Sequence, residues 1–211
     1  MSGRFISFEG GEGSGKSTQL RLLAEAFERA ALPILATREP GGSPGAEKIR
    51  SLLVSGEVDS WDALTETILF NAARADHINK LIKPAIVQGK TVICDRFLDS
   101  TIVYQGIGKG LGTDYINNLH NMLFGNFMPD LTIILDIKPE DGLARAEKRS
   151  DNENRFEKLD IEFHQKIRAG FLKIAEMEEG RCVVLDANQD ADKLHKQIIE
   201  TIRARCGINL Q

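Results

Sequence analysis

The sequence has few cysteines and no long apolar run, and each absence excludes a class of protein. Its three cysteines, Cys94, Cys182 and Cys206, are far apart and show no CxxC spacing, which indicates free thiols in a reducing compartment. No apolar run approaches the roughly 18 residues that span a bilayer. Residues 1–8 carry no apolar secretory segment with a cleavage site. We therefore expect a cytoplasmic protein that does not associate with a membrane.

The chain also lacks an excess of positive charge. It has 27 Lys and Arg against 31 Asp and Glu, a net charge of -4 and a pI near 5.7. A general nucleic-acid binder would usually be basic, so no nucleic acid polymer is expected as a partner. Small anionic substrates remain compatible with this charge, because a local arginine cluster can hold them.

Apolar runs alternate with helical stretches along all 211 residues, without internal repeats or low-complexity tracts. The runs predict five strands, at residues 4–9, 33–37, 90–95, 131–136 and 182–185. The stretches between them predict helices at 16–31, 46–54, 62–87, 100–104, 114–124, 139–149, 157–179 and 191–205. This order predicts a single α/β domain over residues 1–211 with a doubly wound, five-stranded parallel sheet. Ligands of such sheets bind at the carboxyl ends of the strands.

A glycine-rich segment directly after the first predicted strand fits the phosphate-loop pattern GxxxxGK[ST]. Its glycines permit a tight turn whose N–H groups face phosphate oxygens, and the next helix presents its positive N-terminus to the same anion. We expect this loop to bind ATP through Gly10, Gly11, Glu12, Gly13, Ser14, Gly15, Lys16, Ser17 and Thr18. The motif leaves the reaction open among kinases, GTPase switches and ATP-driven motors. A GTPase is disfavoured because no Asn-Lys-x-Asp segment is present.

Acidic residues that end strands are candidates for binding Mg²⁺ beside this loop. Asp95 and Asp136 each end a predicted strand, and we favour Asp95 because Arg96 follows it. Asp136 is equally well explained as a helix-capping or surface acid. Glu9 ends the first strand and could reach metal-bound water, or be an ordinary strand-end carboxylate. The predicted metal-binding residues are Ser17, Asp95 and Glu9.

Arginines recur in the segments expected near this cleft. One set consists of Arg38, Arg50, Arg74 and Arg96, and a second set, Arg145, Arg149 and Arg155, flanks the polar residues 150–154. The planar guanidinium fork suits phosphate because it makes two parallel hydrogen bonds. A charge-rich helix such as 144–149, taken alone, is more often a solvated face.

Several segments together resemble the bacterial thymidylate kinase family. They are FEGGEGSGKSTQ (8–19), TREPGG (37–42), LFNAARADH (69–77), DRFLDSTIVYQG (95–106), PDLTIILD (129–136) and the arginine-bearing loop that ends at 155. The resemblance covers nearly the whole chain in the family's order. It implies the fold of P-loop nucleoside monophosphate kinases, Mg²⁺-dependent transfer of phosphate from ATP to dTMP, a homodimer formed through helices, and a mobile lid around residues 145–156.

The resemblance also implies where the base and sugar of dTMP bind. Phe70 would stack on thymine, and Arg74, one helical turn later, would reach a base carbonyl. The family's remaining nucleoside contacts fall on Ser100, Thr101, Gln105, Tyr104 and Glu12. Of these, Tyr104 would crowd the 2′ position and favour deoxyribose, and Glu12 would contact the 3′-hydroxyl. Taken alone, Phe70 and Tyr104 would be assigned to packing, and it is their joint match that indicates a site.

For the phosphates, the resemblance implies that Arg38, Arg50 and Arg96 hold the acceptor monophosphate. The catalytic residues it implies are Lys16, Asp95, Arg96, Arg149 and Arg155, with the last two acting from the lid. The phosphate loop itself carries no arginine, as in the bacterial arrangement in which the lid supplies the catalytic cation. Two alternatives remain open at this point: another P-loop nucleotide or nucleoside kinase, and an ATP-dependent switch protein.

Overall fold

Five parallel strands form the centre of the computed structural model, which describes residues 3–147 and 155–210. In chain order they are β1 (Phe5–Glu9), β2 (Ile34–Arg38), β3 (Thr91–Asp95), β4 (Leu131–Asp136) and β5 (Cys182–Asp186). They pair in the order β2-β3-β1-β4-β5. The predicted doubly wound α/β fold is therefore confirmed, and each strand lies within two residues of its predicted bounds.

Helices cover both faces of this sheet. They are α1 (Lys16–Arg29), α2 (Pro44–Leu53), α3 (Ala63–His77), α4 (Lys83–Val87), α5 (Leu98–Thr101), α6 (Thr113–Phe124), α7 (Pro139–Ala146), α8 (Ile161–Met177) and α9 (Ala191–Cys206). Two π-helical segments, π1 (Ile78–Ile82) and π2 (Ile102–Gly108), join α3 to α4 and extend α5. No helix in the described ranges is both long and apolar enough to cross a bilayer.

The strands are apolar on both faces because helices cover both faces. In β1, Phe5 packs in one hydrophobic core with π1, π2, α6 and α8, while its neighbour Ile6 packs in a second core with α1 and α9. Successive side chains of a strand point to opposite faces, so a strand buried on both sides reads as a continuous apolar run. The same alternation places Val92 in the first core and Ile93 in the second.

Aspartate side chains cap the N-termini of three helices. Asp62 accepts from the N–H groups of Leu64 and Thr65, both at 2.9 Å, and so begins α3. Asp160 begins α8 in the same way, and Asp190 begins α9. Such caps satisfy N–H groups that have no partner within the helix. The cap at residue 160 explains why α8 begins later than the predicted 157.

The register of the sheet brings the ends of its central strands together. Phe8 of β1 and Arg38 of β2 both pair with Asp95 of β3, so the segments that follow these strands leave the sheet at one edge. All strands are parallel, so this is the edge where ligands of such sheets bind.

Candidate active site

A cavity of about 590 Å³ opens at this edge of the sheet, a volume typical of ligand pockets. It is lined by most of the residues that the sequence assigned to binding or catalysis. These are Glu12, Gly13, Ser14, Gly15, Lys16, Ser17, Thr18, Arg38, Arg50, Phe70, Arg74, Asp95, Arg96, Ser100, Thr101, Tyr104 and Gln105. Glu9, Gly10, Gly11 and Arg155 are not part of its lining. Arg149 lies outside the described residues.

The loop between β1 and α1 has the backbone that a phosphate loop requires. Gly13 and Gly15 have positive φ of 64° and 88°, which residues with a Cβ rarely adopt. The Lys16 ammonium lies inside the loop, donating to Gly10 O at 3.0 Å, Gly11 O at 2.8 Å and Ser14 Oγ at 3.1 Å. Burial, and then the nearby Arg96 charge, lower the pKa of Lys16 to about 8, so the side chain is mostly protonated at neutral pH.

Two of the three predicted metal-binding residues are in contact. Ser17 Oγ donates to Asp95 Oδ2 at 3.0 Å, and Asp95 Oδ1 is buried without a hydrogen-bond partner. Glu9 lies deeper, where Oε1 accepts from Phe97 N at 2.7 Å and Oε2 accepts from Ser100 Oγ at 2.5 Å. Burial, reinforced by the Asp99 charge, raises the pKa of Glu9 to about 8. The structure therefore does not present Glu9 to the cavity as a free carboxylate.

Arg96 lies at the centre of the site in a left-handed conformation with φ of 67°, which is rare for a residue with a side chain. Its Nη1 donates to Gly10 O and Ser100 Oγ, both at 3.1 Å, and its Nη2 donates to Glu12 Oε1 at 2.8 Å. The Tyr104 hydroxyl donates to the same Glu12 oxygen at 2.8 Å. Arg96 thus connects the phosphate loop to the arginine-rich part of the cavity.

The Glu12 carboxylate remains ionised despite its burial. Burial by itself raises the pKa of this group, but the charges of Arg96 and Lys16 and the Tyr104 hydrogen bond outweigh it and lower the pKa to about 2. Glu12 is therefore a fixed hydrogen-bond acceptor at the boundary between the phosphate loop and the rest of the cavity.

Arg74 on α3 is almost completely buried and is held on two sides. Its Nε donates to Glu39 Oε2 at 2.7 Å and its Nη2 donates to Thr101 Oγ1 at 2.9 Å. Its Nη1 is buried without a partner, so one donor remains in a residue that lines the cavity. Glu39 Oε1 also accepts from His77 Nδ1 at 3.0 Å, because Glu39 is a carboxylate: burial alone would raise its pKa, but the Arg74 charge outweighs burial and lowers the pKa. The Glu39-Pro40 bond, whose isomer the sequence left undecided, is cis.

Aromatic side chains form the wall next to Arg74. Phe70, on α3, lines the cavity opposite a residue that sequence reasoning missed, Phe156. Their ring centroids are 6.3 Å apart, and the Phe156 ring is 5.7 Å from that of Tyr104 in an edge-to-face arrangement. Phe156 and Glu157 follow the polar segment 150–154, and no periodic pattern distinguishes them in the sequence.

Arg38 and Arg50 line the cavity near the end of β2. Arg38 is half exposed, and its Nη2 donates to Glu47 Oε2 at 3.1 Å. Arg50 Nη1 donates to Pro40 O at 2.7 Å. With Arg74 and Arg96 they form a second cationic region in the cavity that contains the phosphate loop.

The opposite end of the cavity follows β5, and sequence reasoning assigned no site residue there. Its lining includes Ala187, Gln189, Ala191 and Leu194. These residues could have been predicted to lie at the site, because they follow the carboxyl end of a predicted parallel strand. Arg145 on α7 also reaches this end, where it donates to Ala187 O and Asn188 Oδ1, both at 3.0 Å.

Two other predicted candidates lie away from the cavity. Asp136 accepts two hydrogen bonds from Arg168, at 2.7 and 2.8 Å. This pairing fits the interpretation of Asp136 as an ordinary surface acid and not as a ligand of Mg²⁺. Arg155 is 1% exposed and donates to Glu66 Oε2 at 2.6 Å. In this structure Arg155 therefore does not supply a cation to the phosphate loop, because its guanidinium is already held by a buried carboxylate.

A phosphate loop and a separate arginine-rich region share one cavity at the edge of a doubly wound parallel sheet. This combination defines the class of P-loop nucleoside monophosphate kinases. Within that class, a sequence profile described as thymidylate kinase matches residues 8–198. The chain belongs to the thymidylate kinase family.

Individual family members are similar over nearly the whole chain. The thymidylate kinase of Caulobacter vibrioides is 48% identical over 206 residues, covering 98% of this chain and 99% of that protein. The thymidylate kinase of Rhodopseudomonas palustris is 50% identical over 210 residues, covering 97% and 90% respectively. The crystal structure of thymidylate kinase from Ehrlichia chaffeensis superimposes with a TM-score of 0.79 at 35% identity, covering 96% of this chain and 100% of that one.

Proposed function

We propose an arrangement of substrates in the cavity for the reaction of this family, the ATP-dependent phosphorylation of dTMP to dTDP. ATP places its phosphates in the loop at residues 10–18, and dTMP occupies the region between the loop and α3. The observation that carries this arrangement is Arg96, whose Nη1 donates both to Gly10 O of the loop and to Ser100 Oγ of α5 in one cavity. The two nucleotides would therefore meet end to end beside Arg96.

On the donor side, the backbone N–H groups of the loop and the Lys16 ammonium bind the ATP phosphates. The three oxygen atoms that Lys16 now contacts belong to the loop itself, so an anionic phosphate can take their place beside the ammonium. The N-terminus of α1, which begins at Lys16, adds the positive end of the helix dipole.

On the acceptor side, Arg38, Arg50 and Arg96 bind the monophosphate of dTMP. A phosphate monoester is mostly ionised at neutral pH, so its oxygen can attack without a strong general base. Catalysis then consists of in-line positioning and stabilisation of the charge on the transferred group. The fixed carboxylate of Glu12 accepts from the sugar 3′-hydroxyl, and the Tyr104 ring occupies the space that a 2′-hydroxyl would need.

The thymine base binds between Phe70 and the polar residues of π2 and α5. Phe70 provides an aromatic face, and the unpaired Nη1 of Arg74 donates to a base carbonyl. Thr101, Ser100 and Gln105 line the same part of the cavity and contact the base edge. A buried donor left without its acceptor costs about 1–3 kcal/mol, so this site discriminates against bases that lack a carbonyl there.

The donors at the end of β3 fit a magnesium ion. Ser17 Oγ and the orphaned Asp95 Oδ1 are oxygen ligands, and Mg²⁺ typically takes one or two protein oxygens together with phosphates and water. Within the described ranges no group of three or more His, Cys, Asp or Glu side chains could hold a metal, which suits a metal held jointly with ATP. When bound, Mg²⁺ would neutralise phosphate charge. Glu9 is not included, because both of its oxygens are engaged.

The lid contributes the remaining cation. Arg149 carries that role in the proposal by resemblance alone, since it lies outside the described residues. Alanine at this position should lower kcat more than it weakens binding of either nucleotide. Equal losses in kcat and in binding would count against a role in the transition state.

One assay tests the proposal. ADP formation is measured with ATP and each of dTMP, dUMP, thymidine and no acceptor, for the wild type and for Lys16→Ala. We expect ADP formation to depend on dTMP and to fall by about 10²–10³-fold in Lys16→Ala, the loss typical of removing one transition-state cation or donor. Phosphorylation of thymidine, or ATP hydrolysis that is indifferent to all acceptors, would contradict it. A melting curve for Lys16→Ala shows whether the variant is folded.

The proposal extends to the assembly and the compartment. Large apolar side chains are exposed on neighbouring helices, including Leu52 on α2 and Ile68 on α3, which supports a homodimer formed through these helices.

All three cysteines are free thiols, two of them buried, which supports a reducing cytoplasm as the compartment of the protein.

A further inference from the structure

A buried cluster of charged side chains lies beside the base pocket and has no part in the mechanism above. At its centre is Glu66 on α3, which is fully buried. The Glu66 carboxylate accepts from Arg155 Nη1 at 2.6 Å, Lys109 Nζ at 2.9 Å and Gln105 Nε2 at 2.9 Å. Charged side chains are rarely buried unless they are paired, so these contacts fix the relative positions of the elements that carry them.

Arg155 also joins the cluster to the end of α2. Its Nη1 donates to Leu53 O at 3.1 Å, its Nε to Glu57 O at 2.9 Å and its Nη2 to Val58 O at 2.9 Å. Leu53 is the last residue of α2, where helix carbonyls have no partner within the helix. One guanidinium thus ties the C-terminal end of α2 to α3, and both helices supply residues to the cavity.

The hydrogen bonds of Arg155 to Glu66 and to the end of α2, which we call the Arg155 anchor, place the next residue, Phe156, in the cavity. Its ring lies 6.3 Å from that of Phe70 and 5.7 Å from that of Tyr104. The Arg155 Cζ atom is 5.3 Å from the same ring, and the Lys109 Nζ atom is 6.0 Å from it. Cations over an aromatic face attract it, so the charges that fix the backbone at 155 also orient the neighbouring ring.

Gln105 is held by the same carboxylate. Its Nε2 donates to Glu66 Oε1, while its side chain lines the cavity. The Glu66 carboxylate therefore determines the position of two cavity residues at once, Gln105 directly and Phe156 through Arg155.

We propose that Arg155 is a positioning residue of the base pocket: with Glu66 it holds Phe156 and Gln105 in place to receive the thymine of dTMP. This inference rests on the proposed dTMP site. It replaces the predicted catalytic role of Arg155, because a guanidinium with four hydrogen bonds to Glu66 and to the backbone at residues 53–58 is not free to contact phosphate.

The test separates binding of the base from the chemical step. In Arg155→Met, which keeps an unbranched side chain, we expect the KM and the calorimetric Kd for dTMP to rise about tenfold. The KM for ATP and kcat at saturating dTMP should stay within about twofold. Glu66→Gln should change the same constants in the same direction. Arg168→Met is the matched control, because it removes a two-bond ion pair with Asp136 outside the cavity and should leave the Kd for dTMP unchanged.

Other outcomes overturn the proposal. A large fall in kcat with unchanged dTMP affinity would make Arg155 a cation on the transferred phosphate, and unchanged constants would make it dispensable. If Arg155→Met does not fold, Glu66→Gln decides: weaker dTMP binding supports the anchor and unaltered binding refutes it. Failure of the wild type to phosphorylate dTMP would refute the proposed function, whereas the calorimetric Kd for dTMP tests the anchor independently of turnover.

Discussion

At the scale of single residues, Tyr104 both packs in the hydrophobic core and contacts charged residues of the cavity. Its hydroxyl donates to Glu12, and the Arg96 Cζ atom lies 5.1 Å from its ring centroid. The ring also packs edge-to-face against Phe163 and Phe171, at 6.1 and 6.4 Å. Substitutions that remove only the hydroxyl or the whole ring should therefore have different effects.

Tyr104→Phe should lower kcat/KM for dTMP by about tenfold, since a hydrogen bond to a charged group is worth about 1.5–3 kcal/mol. The preference for dTMP over its ribose analogue should remain, because the ring still occupies the 2′ position. Steady-state kinetics with both nucleotides measure this.

Tyr104→Ala should narrow the preference for dTMP over its ribose analogue. It should also cost about 3 kcal/mol or more of stability by leaving a cavity, so its free energy of unfolding must be measured alongside. An unaltered preference in Tyr104→Ala would leave Tyr104 as a packing residue.

His120 makes the stability of the fold sensitive to acid. Its Nε2 lies 2.9 Å from Phe127 O, which can only accept, so Nε2 carries the proton, and its Nδ1 is buried without a partner. Burial, reinforced by the Arg74 charge, lowers the pKa of His120 from 6.5 to about 4. The unfolded chain therefore takes up this proton at a higher pH than the folded protein does. The contribution of the neutral His120 side chain to the free energy of unfolding is therefore fully present above pH 6.5 and is lost as the pH falls towards 4.

Urea unfolding at pH 7 and at pH 5 tests this account of His120. By linkage, the wild type should lose about 2 kcal/mol more than His120→Gln between these two pH values. Glutamine is the appropriate replacement because its amide can still donate to Phe127 O without a titratable group. Equal losses in the two proteins would show that His120 is not the acid-sensitive group.

At the scale of elements, α7 packs directly on the backbone of the phosphate loop. A Cβ added to Gly13 would lie 1.9 Å from Gly142 O, and one added to Gly142 would lie 2.4 Å from Glu12 O. The contact is possible only because both residues are glycine. The position of α7, which also carries Arg145, is therefore linked to the shape of the loop.

Gly142→Ala should weaken binding of an unreactive ATP analogue, because the new methyl group must displace either α7 or the loop. Alanine favours a helix by about 1 kcal/mol over glycine, so a loss of affinity cannot be attributed to a weaker helix. Calorimetry with the analogue and with dTMP measures the effect, which should be larger for the analogue. The control is Gly180→Ala, where an added Cβ meets nothing within 4 Å. Unchanged affinity for the analogue would show that the loop tolerates movement of α7.

At the scale of the whole molecule, the fold leaves an apolar surface on the helices behind the base pocket. Leu64 and Ile68 of α3 are 43% and 54% exposed, and Met122 of α6, a helix that packs on α3, is 78% exposed. Phe70 and Arg74 of α3 line the cavity. A partner chain on this surface would therefore support the helix that carries these two cavity residues.

Light scattering should give a mass near twice the 23.4 kDa of one chain. Ile68→Arg should shift the wild-type mass towards that of a monomer, because a charged side chain would be buried in the interface without a partner. Lys80→Ala is a control for a surface change on neighbouring π1, since the Lys80 side chain is largely exposed and its ammonium pairs with Asp76. A wild-type mass of one chain would refute the dimer.

Much of the fold could be predicted because its signals are local. Apolar runs such as LTIILD at 131–136 predict buried strands, and the glycines at 10–15 with Lys16 predict a loop that binds phosphate. The π-helical segments could not be predicted in this way. Tyr104 and Gln105 are consecutive residues of π2, and both line the cavity. The α-helical period does not predict that two consecutive residues face the same side.

The sequence by itself determined the phosphate loop, the five strands of a doubly wound parallel sheet and, through its motifs, the family. These depend on short-range geometry, namely glycine conformations, the alternation of apolar residues and helix caps. Only the tertiary structure decided which charges face the cavity. Arg96 and Arg155 are both arginines next to predicted functional segments, yet Arg96 contacts Glu12 in the phosphate loop whereas Arg155 is buried against Glu66. Their roles differ because a charge takes its function from the partners around it, and those partners are about 80–90 residues away in the chain.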